Sequence, residues 1–478
     1  MITPLALTIA LAAQAVPPAA QARTISPLVA EGQELEARND LSGAADVYRR
    51  AVAAAPADAV AHDKLGFVLG RLGRTEEALA AFERAVALDP RLFDAQYHLG
   101  ATRWWTRQLD AAVEPLRAAV SLRPAHAEAR YYLGVTLRQL GRLDEAIDHL
   151  RQAVKRAPSL APAHLQLATA LQASGDFDAA IRHFEIAAKL DPESGESLNS
   201  LGLALMQKGE GVKAAEVFRR VSPSQPEFRT ARLNLATALM HQGDLAGAVE
   251  ILRRLTEDDP GNAEAFYNLG VALKQQDQFG PAEDALRRAM SLDAKLADAP
   301  FTLGVVVWQT GRAAEAEALF REAIARKPGS GDAHYMLGTV LKGLGREAEA
   351  VAEFQAAIAA NPELPEAHLS LSQALQQRGD LEGAARARAE ADRLNRRKAD
   401  AQTSIFAVSA GRRLLEAGKR TAAIAQFREA VRLSPDNVEA HLALAESLRA
   451  SGASVEARKH LEEARRLKTA GRSPQSAR

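Results

Sequence analysis

Histidine is the side chain in this sequence most able to do chemistry, and there are eleven histidines beside no cysteine. A zinc site would need three or four such ligands brought together. Their spacing points elsewhere. His62, His164, His334, His368 and His441 share one phase of a 34-residue period, and His149, His183 and His460 share another. A residue tied to one phase of a repeat is placed there by packing. No HExxH or carboxylate cluster accompanies them. Gly329-Ser330-Gly331 follows a helical stretch rather than a strand, so it reads as a loop and not as a phosphate cradle. Ser197 and Ser200 lie in no motif that would make them nucleophiles. The missing cysteine removes disulfides, thiolate metal sites and a cysteine nucleophile. The expectation is a chain without catalytic residues, metal or cofactor.

The period is plainest in residues 59–92, AVAHDKLGFVLGRLGRTEEALAAFERAVALDPRL. Leu65, Gly66, Leu69 and Leu72 have helical spacing, which predicts an amphipathic first helix. Gly73 should stop it, because glycine accepts the left-handed conformation that ends helices. Thr75 as a cap, with Glu76 and Glu77, suits the start of a second helix. Ala78, Phe82, Ala85 and Leu88 form its apolar stripe, and Asp89-Pro90 ends it. Count positions from Ala59. Position 8 is small, as in Gly66, Gly100 and Gly134, and position 20 is alanine in all thirteen repeats, from Ala44 to Ala457. Small residues there let the two helices approach closely. The large residue at position 24, such as Phe82 or Leu116, is expected to fill the gap to the next hairpin. A single hairpin leaves apolar surface uncovered, so it needs neighbours.

The repeat length and the Leu-Gly, Ala-x3-Phe, Pro pattern resemble the tetratricopeptide repeat (TPR) family. The resemblance covers residues 25–398 in unbroken register and resumes over 404–471. It implies an all-α, right-handed superhelical solenoid of stacked antiparallel helix pairs, with a concave groove lined mainly by first helices. It also implies that positions 2, 5, 6, 9, 12 and 13 tend to face that groove. Five of the six tyrosines sit at position 5 or 6, and all three tryptophans at 12 or 13. Repeats 3 and 4 thereby offer Tyr97, His98, Trp104, Trp105, Tyr131, Tyr132 and Arg138, an aromatic and arginine set of the kind favoured at binding hot spots. Phe301, Trp308 and Tyr335 are read as packing. The carboxylate clamp known in the family needs an Asn and Lys/Arg register over three first helices. Here Asn234 and Asn268 stand alone at position 6, between Ser200 and Thr302, so no clamp is expected. A shorter polar stretch of Asn199, Asn234, Tyr267 and Asn268 is a second candidate for bonding a peptide backbone.

Lysine plus arginine equals aspartate plus glutamate, 60 against 60, which argues against a dedicated nucleic-acid surface. Residues 1–22 carry no charge, and the apolar run from Leu5 to Ala13 is too short to span a bilayer. It suits the core of an export signal cleaved after Ala22 or Ala15, which implies a periplasmic or secreted protein; an uncleaved N-terminal anchor is the alternative. Pro115 lies within a second helix and should kink or delay it. Repeat 11 has Arg388 at position 24 and Arg396 at position 32, about five extra residues follow over 399–403, and no proline occurs between Pro365 and Pro435. The expectation is an extended helix joining repeats 1–11 (23–398) to repeats 12 and 13 (404–471), before a disordered tail over 472–478. The chain is thus expected to hold protein or peptide partners in its groove, in envelope or secretion-complex assembly. The alternatives are a regulatory subunit that positions a separate enzyme and, further off, a sugar-binding or enzymatic protein.

Overall fold

The computed structural model describes residues 26–470. The export signal expected over 1–22 and the tail over 472–478 lie outside them. Among the described residues there are twenty-five helices and no strand. The chain divides at Leu255 and Thr256 into two compact bodies, each built by the same rules.

Repeat 2 shows why the sequence folds as hairpins. Its first helix, Ala59–Arg71, starts under Asp58, whose carboxylate accepts the N–H groups of Val60 and Ala61. It ends at Gly73, where φ is +75°. Gly73 N–H bonds to the Gly70 carbonyl and Arg74 N–H to the Leu69 carbonyl, which satisfies two of the helix's last carbonyls. The second helix runs Thr75–Leu88. Its cap is Arg74 and not Thr75, and no side chain caps it; instead the Arg74 guanidinium reaches forward to Glu77 at 2.6 Å.

Position 15 takes a positive φ in all thirteen repeats. Ten have glycine there, and Asn39 (φ 59°), Arg107 (φ 64°) and Asp277 (φ 58°) adopt the same conformation without it. The turn geometry is therefore imposed by packing of the hairpin, and Arg107 carries strain that glycine would not.

The hairpin interior corrects one expectation. The large residue at position 24 fills space in its own hairpin. A Cβ added to Gly66 would come within 2.7 Å of the Phe82 ring, and one added to Gly134 within 2.6 Å of Leu150. The absent Cβ at position 8 is the socket for position 24. Alanine at position 20 is buried in every repeat. Pro115 does not delay its helix, which runs Leu109–Leu122. The carbonyl that Pro115 leaves unbonded, Ala111, accepts a hydrogen bond from Arg103 Nη1 at 3.0 Å.

Within each body, first helices of neighbouring repeats touch one another, as in repeats 2 to 4 and 8 to 11, while second helices do not touch second helices. First helices thus form the tighter layer, and each also packs on the second helix of the repeat before it. One joint breaks this rule. Leu381–Glu416 is a single helix of 36 residues. It serves as the second helix of repeat 11 and the first of repeat 12, and so reduces the helix count by one.

Candidate functional site

The histidines have a structural task. At position 4 the ring Nε2 meets the carbonyl of the proline six residues earlier: His62 with Pro56 at 3.1 Å, His164 with Pro158 at 3.1 Å, His334 with Pro328 at 3.2 Å, His368 with Pro362 at 3.0 Å and His441 with Pro435 at 3.0 Å. Gln96 and Arg130 do the same at position 4 of repeats 3 and 4. The donor matters more than its identity, because it satisfies a carbonyl at these seven interhairpin turns. Position 23 pairs with position 4, giving His164–His183 and His441–His460 contacts at 3.0 Å. Among the described residues no three His, Asp or Glu side chains gather as a metal site.

The aromatic residues of repeats 3 and 4 do come together. They sit on the first helices Phe93–Trp105 and Ala127–Gln139, which touch. Tyr132 is the hub. Its ring centroid lies 5.9 Å from Tyr97, 5.2 Å edge-on from Trp104 and 5.1 Å edge-on from Tyr131. Trp105 adjoins Trp104 at 6.4 Å. Such edge-to-face pairs each add about 0.5–1.5 kcal/mol beyond burial.

The members play different parts. Tyr97 is only 5% exposed, and its hydroxyl donates to Glu128 at 3.0 Å, so it supports the cluster from beneath. His98 is also held inward, by a 2.8 Å bond to the buried carboxylate of Asp63. Tyr131 and Tyr132 are half-buried, whereas Trp105 is 56% exposed. Two donors lack a partner within the chain although their atoms are buried: Trp104 Nε1 and Arg138 Nε. The side-chain oxygens of Gln139 and Gln166, on the first helices of repeats 4 and 5, are likewise unpartnered.

Electrostatics keep these groups in one form. Burial pushes the Tyr97 phenol far above its ordinary range, and Glu128 adds to this. Burial pushes Tyr131 up to about 12, helped by Tyr132. Burial lowers the Arg138 guanidinium from its usual value, opposed by Tyr131 and Glu196. The phenols stay neutral at any ordinary pH, so the patch offers flat apolar faces and hydrogen-bond donors.

The second candidate stretch is split between the two bodies. In the first, Asn234 Nδ2 donates to Asn199 Oδ1 at 2.9 Å, so the two asparagines partly satisfy each other. In the second, the Tyr267 hydroxyl meets Thr302 Oγ1 at 3.3 Å, and Asn268 lies half-buried beside it in sequence. Sequence reasoning missed Glu128 and Asp63, which hold Tyr97 and His98 inward. Glu128 was findable, since it occupies position 2 next to the tyrosines.

A profile described as a tetratricopeptide repeat matches residues 103–161, 165–227, 335–398 and 408–477, more than half of the chain. The chain belongs to the tetratricopeptide repeat family. A second TPR profile matches 205–264, 239–300 and 307–355, and a third matches 71–104. Comparison with curated proteins gave no match. Several solved TPR structures are similar. The C-terminal part of a TPR protein from Cytophaga hutchinsonii is 20% identical, with a TM-score of 0.44, over 50% of this chain and 99% of that one. Pseudomonas aeruginosa pilF is 20% identical, with a TM-score of 0.38, over 43% and 94%. YrrB, described as a TPR protein with an unusual peptide-binding site, is 21% identical, with a TM-score of 0.35, over 43% and 97%. Scores of this size carry no argument about a partner.

Proposed function

We propose that this TPR chain is a non-enzymatic scaffold that holds a peptide segment of a partner protein against the first helices of repeats 3 to 5. One observation carries this reading: an exposed Trp105 on a rigid aromatic platform, beside the buried and unpartnered donors Trp104 Nε1 and Arg138 Nε. A peptide backbone supplies carbonyls for those donors and N–H groups for the Gln139 and Gln166 oxygens. The platform is already formed, which lowers the ordering cost on the protein side. The uncharged leader supports export, and hence a partner in the envelope or outside the cell. A complex that assembles or secretes proteins there fits this reading, and so does a regulatory subunit that positions a separate enzyme.

The test is affinity capture from envelope extract with mature protein and a Trp105→Ala, Arg138→Ala variant, once equal melting temperatures show that both are folded. A partner retained by the parent and lost by the variant supports the reading. Equal capture by both assigns the aromatics to packing and moves attention to Asn199, Asn234, Tyr267 and Asn268.

A further inference from the structure

The face that a first helix turns toward the preceding repeat is written in two positions. Position 3 is alanine or serine, and it is buried in repeats 2 to 11 and in repeat 13: Ala61 and Ala95 open the series, Ser197 is its one serine, and Ala440 closes it. Position 10 is small or β-branched, from Val68 to Ser447, and is buried in all of these except repeat 3, where Thr102 is half-buried. Within each body, the second helix of the preceding repeat packs on the helix that carries both.

Repeat 12 has Phe406 at position 3 and Arg413 at position 10, and both are exposed. The cause is the 36-residue helix. Where the second helix of repeat 11 runs straight on into the first helix of repeat 12, it cannot fold back over that helix's flank. The slot filled by a helix elsewhere is empty here. Phe406 is 62% exposed and its neighbour Ile405 52%. Gln402 and Ser409 flank them on the same helical face, with Lys398 and Arg413 at its ends. Neither Lys398 nor Arg413 has an ion-pair partner among the described residues. Asp400, the one acidic residue between them in sequence, interacts with Arg432 instead.

We infer that this stripe is a docking site for an acidic amphipathic helix of a partner protein. The vacant slot is shaped by the repeat to take a helix. From Lys398 to Arg413 the stripe is about 22 Å long, close to the length of a 14-residue second helix. The charges choose the kind of helix. Lys398 lies seven residues before Ile405 and Arg413 seven after Phe406. A second copy laid antiparallel across the apolar pair would set lysine against arginine at both ends, and a parallel copy would set like against like. Self-pairing is thereby opposed, and acidic residues flanking an apolar centre are favoured. This surface is separate from the aromatic patch of repeats 3 and 4, and the inference does not rest on that patch.

The test uses the full chain and two labelled peptides, read by fluorescence anisotropy. One has the sequence of residues 347–360, EAEAVAEFQAAIAA, an acidic second helix of repeat 10 that packs on the repeat 11 helix carrying Ala367 and Ala374. The other carries the same sequence with Glu347→Lys, Glu349→Lys and Glu353→Lys. The acidic peptide is expected to bind, weakening about tenfold with Phe406→Ser or Arg413→Glu and falling with added salt. The lysine peptide is expected to bind only the Arg413→Glu chain. Both substitutions lie on the surface, and unchanged melting confirms that each variant is folded. The inference is overturned if the acidic peptide fails to bind, or if it binds both variants as well as the parent. It is also overturned if sedimentation shows a dimer lost with Phe406→Ser, or if phosphatidylglycerol vesicles bind the parent and not that variant. Those last two results would assign the stripe to a second copy or to a membrane surface.

Discussion

The joint between repeats 3 and 4 and the joint between repeats 11 and 12 are made from the same two helix types and differ in whether they close. At the first, the second helix Leu109–Leu122 turns back and the next first helix packs on it, with Ala129 buried beneath. At the second, one helix runs from Leu381 to Glu416 and no turn is made. The side chains follow the difference. Position 3 is alanine where it will be covered and Phe406 where it will not. Position 24 is Leu150 in repeat 4, seated against Gly134, and Arg388 in repeat 11, exposed to solvent. In repeat 11 the position 8 residue, Ser372, turns its hydroxyl to the Ala384 carbonyl at 2.8 Å instead of receiving a large apolar group. The period specifies a hairpin, and departures from it at positions 3, 10 and 24 specify where hairpins stop stacking.

The largest expected effect tests position 24 on both sides. Leu150→Ala empties a fully buried socket and is expected to cost about 2–5 kcal/mol. Arg388→Ala at the same position should stay within about 0.5 kcal/mol, as surface changes do. Chemical unfolding of both variants measures this. Similar losses would mean that Arg388 packs in repeat 11 as Leu150 does in repeat 4, and the contrast would fail.

Position 3 gives the next effect. Ala129→Phe places the repeat 12 residue in a closed joint and should cost about 1–3 kcal/mol by overpacking, or more if the joint opens. Phe406→Ala, the reverse exchange at the open joint, should cost no more than about 0.5 kcal/mol. A stable Ala129→Phe variant would show that the closed joint has room the structure does not show.

Much of this was legible in the sequence. The hairpin, the number of repeats and the turn at position 15 followed from the 34-residue period, because each position meets the same neighbours in each repeat. The unbroken helix could be expected from the missing proline after Pro365. Less legible was anything that depends on which side of a helix a residue ends up. Tyr97 and His98 share a groove phase with Tyr131 and Tyr132, yet they are drawn inward by Glu128 and Asp63. Those partners lie more than thirty residues away in sequence, on the first helices of other repeats. Phe406 was visible as the one aromatic in a column of alanine and serine, but only the burial of that column shows why it matters.

A third exchange should be indifferent to the joints. Arg107 in repeat 3 and Gly418 in repeat 12 both occupy position 15 with positive φ. Arg107→Gly is expected to stabilise by about 1 kcal/mol, and Gly418→Arg to destabilise by a similar amount, since the cost belongs to the left-handed backbone alone. Thermal melting of the two single variants checks this. A large difference in magnitude would mean that the turn is set differently at the open joint.

The smallest effect concerns what holds the open joint. Arg397 reaches Glu363 at 2.6 Å in the loop before repeat 11 and Asp436 at 3.3 Å in the loop after the second helix of repeat 12. All three side chains are more than half exposed. Exposed ion pairs of this kind contribute about 0–1 kcal/mol and weaken with salt. Arg397→Ala should therefore leave the melting temperature almost unchanged. Its effect should appear in local motion, because the bridge spans the stretch where one continuous helix joins repeat 11 to repeat 12. Amide exchange over residues 396–404 is expected to rise in the variant, and to rise in the parent when salt is added. The joint between repeats 3 and 4 should show neither response, since its closure rests on buried apolar contact that salt does not screen. Unchanged exchange at 396–404 would place the rigidity of the open joint in the continuous helix backbone alone, with Arg397 a bystander.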